Sequence, residues 1–114
     1  MNILLLIFFL FISESIYAEQ PQSVINGYVK NKSTGENLIG ANIIITNDDL
    51  KLGTATDING YFIIEKLPPE IYNINISYIG YKTLQEIINL RDDNVTIEFE
   101  LETVPIQSEE IQVN

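Results

Sequence analysis

The chain has 114 residues, with 16 acidic and 6 basic side chains, no cysteine and no histidine, and a formal net charge of −10. Without Cys and His there can be no zinc cage, Ser-His-Asp triad, cysteine nucleophile or disulfide framework. The acidic balance, with no Lys/Arg cluster to offset it, repels nucleic-acid phosphates and reads as a solubility feature.

Residues 3–12 (ILLLIFFLFI) form an unbroken apolar run of signal-peptide length, short for a membrane span. Residues 13–18 add a polar exit ending in a small residue, so cleavage is expected after Ala18. The start carries no Lys or Arg, and an uncleaved anchor is the alternative. Either way the remainder is exported, and after cleavage no integral membrane span is expected. Removing residues 1–18 takes away one charged side chain, Glu14, and leaves −9. Residues 19–22 read as a short linker. A lipid anchor would need a cysteine at the cleavage site, and small secreted animal domains usually carry disulfides. Their absence favours a bacterial exported protein held by its core alone.

Alternation of apolar and polar residues dominates after residue 22. A first strand is expected over residues 23–30, with Ile25 and Val29 on one side of Gly27, and a second over 38–46 (LIGANIIIT). Residues 52–56 and 61–65 read as the two arms of a β-hairpin. In residues 71–78 one face carries Tyr72, Ile74, Ile76 and Tyr78; in 94–102 it carries Val95, Ile97, Phe99 and Leu101. Both read as half-buried antiparallel strands. Residues 81–90 would fit a helical turn through Leu84, Ile87 and Ile88, but β-rich neighbours favour a strand. About seven short strands separated by turn residues give an all-β, seven-stranded antiparallel β-sandwich. Its expected core is Ile25, Val29, Ile43, Ile45, Phe62, Ile64, Ile74, Ile76, Val95, Ile97 and Phe99.

The stretch GTATDINGYFIIE (residues 53–65) invites comparison with a calcium-binding EF-hand loop. With Gly60 at the sharp turn, Ala55 takes the first ligand position and Lys66 the last, so the register fails. A turn fits instead: the Asp57 carboxylate accepts the Asn59 N–H, and Gly60 takes the left-handed position. The row Glu98, Glu100 and Glu102 spaces carboxylates roughly 7 Å apart along a strand and reads as a solvated face. Three Asn-x-Ser/Thr sequons, at Asn31, Asn75 and Asn94, are expected by chance in an Asn-rich chain. No catalytic, cofactor-binding or metal-binding residues are assigned, and no cofactor is expected.

Six ordered blocks carry a family resemblance: Ile25-Asn-Gly27-Tyr-Val29; Ser33-Thr-Gly35-Glu36; Leu38-Ile-Gly40-Ala-Asn42-Ile; Gly53-Thr-Ala-Thr-Asp57-Ile-Asn-Gly60-Tyr-Phe62; Leu67-Pro-Pro69 with Tyr72; and Ser77-Tyr-Ile-Gly80-Tyr81. The chain resembles the carboxypeptidase regulatory-like domain, a transthyretin-like β-sandwich, over about residues 23–102. The structural motif residues are Gly27 and Gly40, relieving crowding in or beside strands; Gly35, in the first turn; Asp57 and Gly60, in the second; and Gly80 and Tyr81, at an aromatic bend. Glu70 stands where the family usually has glycine.

The resemblance implies a non-enzymatic module, since metallocarboxypeptidases pair this domain with a separate zinc domain. In Bacteroidetes-type bacteria such modules stand at the N-terminus of TonB-dependent outer-membrane receptors for nutrient transport, which places the chain in the periplasm or outer membrane. A stand-alone secreted adhesion or glycan-binding sandwich, or an accessory domain of a secreted hydrolase, is the alternative. Residues 103–114 read as a flexible tail in which Glu110, Ile111, Gln112 and Val113 could add as a strand to a protein partner, the receptor plug or a periplasmic coupling protein.

Overall fold

A computed structural model describes residues 21–91 and 94–105. The expected leader and the segment Glu110, Ile111, Gln112 and Val113 lie outside the described residues. Seven strands follow one another: β1 (Ser23–Asn31), β2 (Asn42–Thr46), β3 (Lys51–Ala55), β4 (Tyr61–Leu67), β5 (Ile71–Ser77), β6 (Leu84–Asn89) and β7 (Val95–Leu101). Among the described residues there is no helix. A three-stranded sheet in the order β4-β1-β7 packs on a four-stranded sheet in the order β3-β2-β5-β6.

Alternation decides what is hidden. In β5, Tyr72, Ile74 and Ile76 are buried, while Ile71, Asn73 and Asn75 between them are exposed. In β1, Ile25, Gly27 and Val29 point inward. Of the expected core, nine members are buried; Val95 and Ile97 are only partly covered and pack against its margin. Leu38, Ala41, Leu67, Tyr72, Ile88, Leu90 and Leu101 complete the core. Leu67 joins because β4 carries one extra residue against β1: Ser23 pairs with Leu67 and Ile25 with Ile64. Lys66, at φ 58°, takes up the bulge, and the slip of one residue turns Leu67 back inward. The strand therefore runs beyond the expected end at Glu65.

Three expectations are corrected. First, the residue 53–65 stretch is not a hairpin: β3 pairs with β2 in one sheet, whereas β4 pairs with β1 in the other. Packed sheets lie about 10 Å apart, so the turn at Asp57 bridges two layers instead of closing a ladder. Second, β2 begins at Asn42, four residues later than expected. Residues 37–38 stay with β1, through an Asn37–Lys30 bridge and a Leu38 N–H donated to the Val29 carbonyl, before the chain crosses to the other sheet. Third, β7 runs parallel to β1, from Ile25 opposite Val95 to Asn31 opposite Leu101. A half-buried parallel edge strand shows the same alternation as an antiparallel one, so the pattern could not reveal its direction.

That parallel pairing depends on Gly27. A Cβ built there would lie 1.6 Å from the Ile97 carbonyl oxygen and 2.8 Å from its carbon. Backbone is the obstacle, so no rotamer change can relieve it, and β7 must move away. We therefore expect Gly27→Ala to destabilise the domain by about 3 kcal/mol or more, at the upper end for an overpacked site. Urea unfolding followed by circular dichroism measures it; a loss below about 0.5 kcal/mol, the range of an ordinary surface change, would show that β7 does not depend on the approach.

Candidate functional site

The motif residues converge on the end of the sandwich where β1 finishes. Two crossovers between the sheets lie side by side there, residues 38–41 and 56–60, and Thr56 ties them together. Its buried hydroxyl donates to the Leu38 carbonyl at 2.5 Å and accepts the Ala41 N–H at 2.8 Å. Its backbone N–H donates to the Ala41 carbonyl at 3.0 Å, and its carbonyl accepts the Gly40 N–H at 2.9 Å. Thr56 falls within the Gly53–Phe62 motif block, where nothing in the local sequence marks its role. Four bonds at one small side chain and its peptide groups make it the stitch between two otherwise separate loops.

Asp57 behaves as the turn chemistry requires. Its Oδ1 accepts the Asn59 N–H at 2.8 Å and the Tyr61 N–H at 3.0 Å, and its carbonyl accepts the Gly60 N–H at 2.9 Å. Gly60 adopts φ +74°, and its carbonyl accepts the Val29 N–H. A Cβ there would press on Asn37 Cβ and the Val29 oxygen, each at 3.0 Å, so conformation and space both select glycine. Gly40 is a correction: nothing lies within 4 Å of a Cβ built on it, and its φ of +79° accounts for the residue. It turns the crossover and relieves no crowding.

A second knot forms at Asn31, which the sequence reading treated as a chance sequon. The residue is buried; its Oδ1 accepts the Ser33 and Thr34 N–H groups, and its amide donates to the Tyr81 hydroxyl at 2.8 Å. The turn at Gly35 closes on the same residue, with the Gly35 N–H donated to the Asn31 carbonyl. Tyr81 stacks edge-to-face on Tyr78 at 5.4 Å across the bend at Gly80. Tyr81 also bridges Thr103, and Val104 donates to the Gly80 carbonyl, so hydrogen bonding to the sandwich continues past residue 102, where the tail was expected to begin.

Electrostatics here is that of a surface. Lys30 pairs with Glu98 at 3.0 Å, and Lys32 and Lys82 flank Glu102 at 3.1 and 3.7 Å. The Lys32 hydrogen bond and charge, then Lys82, hold the Glu102 carboxyl below its ordinary range. Burial, then the charge of Glu70, pushes the Tyr72 phenol upward; its hydroxyl donates to the Pro68 carbonyl and pins the turn in which Glu70 replaces glycine. Among the described residues no cluster of three Asp or Glu is placed to hold a metal. A shallow groove of about 430 Å³ lies outside β5 and β6, lined by Asn73, Asn75, Gln85 and Ile87 among others. None of these arrangements pairs a nucleophile with a base.

Two knots of hydrogen bonds that lock turns, on a two-sheet sandwich, define a structural module. The CarboxypepD_reg-like domain family matches residues 25–113, and the chain belongs to that family. Comparison with curated proteins gives no match. Solved structures share the fold at low identity. Hydroxyquinol 1,2-dioxygenase from Pseudomonas putida aligns at TM-score 0.62 and 12% identity, over 76% of this chain and 58% of that one. The Bacillus anthracis TIE protein aligns at 0.58 and 19%, over 73% and 17%. The major pilin subunit BcpA of Bacillus cereus aligns at 0.59 and 11%, over 73% and 30%. The chain thus spans less than two thirds of each of these proteins.

Two outcomes follow. Thr56→Val keeps the shape but leaves the Leu38 carbonyl and the Ala41 N–H without their buried partner, and should cost about 1–3 kcal/mol in urea unfolding; a loss under about 0.5 kcal/mol would mean that the crossovers hold without the stitch. Asp57→Ala should lower the melting temperature equally with and without added calcium, because the carboxylate serves backbone N–H groups. A calcium-dependent rise in the unsubstituted protein, lost in the variant, would assign it to a metal instead.

Proposed function

We propose that the chain is a non-catalytic, extracytoplasmic β-sandwich module that works at the N-terminus of a TonB-dependent outer-membrane receptor. Membership of the CarboxypepD_reg-like family is the observation that carries the reading, because the motif blocks resolve into turns and sheet crossovers and not into a reaction centre. The apolar run at residues 3–12 supports export to the periplasm, and the Glu/Ile/Val-containing segment 108–114 supports a connection to a receptor plug or a coupling protein. In this role the module carries no substrate itself; it is a rigid body that positions protein partners. A second reading, a secreted adhesion module, is favoured by the likeness to the Bacillus cereus pilin and to the group B streptococcus pilus 2b backbone protein, which aligns at TM-score 0.61 and 16% identity.

An antiserum against the sandwich separates the two in the native organism. The receptor reading predicts a heat-modifiable, barrel-sized species in the outer-membrane fraction. A small soluble species confined to the medium would overturn that reading in favour of adhesion.

A further inference from the structure

The two sheets do not match in width. β3 and β4 are joined by the crossover at one side, which leaves β6 and β7 as the edge strands at the other. Among the described residues, the Leu84 end of β6 is only partly covered, whereas Ile88 at its other end is buried. The consequences show on both margins. On β7, the inward-facing Val95 and Ile97 are only partly covered, while Phe99 and Leu101 further along are buried. On β6, Leu84 is half-buried and Glu86 is exposed, although Glu86 pairs in register with the inward-facing Ile74. Between the strands runs a groove of about 280 Å³, lined by Thr83 and Leu84 on one side and by Glu100, Leu101 and Glu102 on the other, with Lys32 and Lys82 at its end.

We propose that the edge of β7 away from β1, which over Val95–Leu101 pairs with no other strand among the described residues, is a docking strand for an extended segment of another protein whose side chains alternate aliphatic and basic. A strand added beside β7 would lie over β6 and complete a four-on-four sandwich. Period two sends alternate side chains inward, to cover Val95 and Ile97, and outward, alongside Glu98 and Glu100. Charge selects the occupant. Neither Glu100 nor Glu86, the exposed residue in register with inward-facing Ile74, has an ion-pair partner among the described residues. An inward-pointing charge at a sheet edge repels casual pairing; a basic segment turns that repulsion into recognition. A second copy of β7 would oppose Glu98 and Glu100 with the same carboxylates. Residues 106–114 carry Glu109 and Glu110 and no basic side chain, so charge disfavours the chain's own tail as well. The proposal holds whether the module serves a receptor or an adhesin.

The test titrates the isotopically labelled full chain with a short alternating Val-Lys peptide and with its Val-Glu counterpart, following amide exchange and methyl shifts by NMR. Docking predicts that the Val-Lys peptide slows exchange along Val95–Leu101 and shifts the Ile97 methyls, and that the Val-Glu peptide does neither. Charge reversal with Glu98→Lys and Glu100→Lys should weaken binding at least about tenfold. Glu86→Lys, at an exposed position, should weaken it in the same direction and serves if the double variant fails to fold. Four results would overturn the proposal: no binding, equal binding of both peptides, a response mapped to β3 or to the outer face of β6, or concentration-dependent protection of β7 without peptide, which would make the occupant a second copy.

Discussion

A sandwich of two sheets must hold its layers in register, and here a buried threonine at the paired crossovers does much of that, alongside the Asn31–Tyr81 knot. Thr56 sits where the chain leaves one sheet for the other, beside the place where it crossed the first time. Side chains in the core attract one another without direction, so burial alone would tolerate sliding. Directional bonds from Thr56 to Leu38, Gly40 and Ala41 fix one crossover against the other. Gly60 and Asn31 extend the restraint to the end of β1, and the remaining strands are then placed by pairing.

The same arrangement accounts for the polar residues gathered at this end of the sandwich. Asp57, Asn31, Tyr81 and Thr56 are the residue types from which sites are built, and each makes hydrogen bonds to backbone or to another of the set. The outer surfaces of the two sheets differ. Over β1 and β7 lies a charged face with Lys30, Glu98 and Glu100; over β5 and β6 lies an amide-rich one with Asn73, Asn75 and Gln85.

Local physics was legible in the sequence, and long-range pairing was not. The Asp57 turn, with its carboxylate on the Asn59 N–H and glycine in the left-handed position, follows from residues within reach of one another. The burial of Phe62, Ile74 and Phe99 follows from alternation. Alternation is silent, however, about which strand lies next door and in which direction it runs. Hence the crossover at residues 53–65 read as a hairpin, and β7 read as antiparallel. Asn31 escaped because its two roles join residues fifty positions apart, and its neighbours spell a common surface tripeptide. Gly27 was placed correctly in a crowded setting, but the crowding atom, the Ile97 carbonyl, belongs to a strand seventy residues away.

The parallel pairing of β1 with β7 also sets how the domain bears a load. The first and last strands run the same way, side by side, through seven paired residues from Ile25–Val95 to Asn31–Leu101. Traction applied near Pro21 and near Pro105 pulls these two strands from opposite ends. Their hydrogen bonds are then strained lengthwise and all together, and cannot be unzipped one rung at a time. Such a geometry resists tension at a sheet's strongest angle, so a tether through both chain ends would transmit a pull across the sandwich before it let the sandwich open.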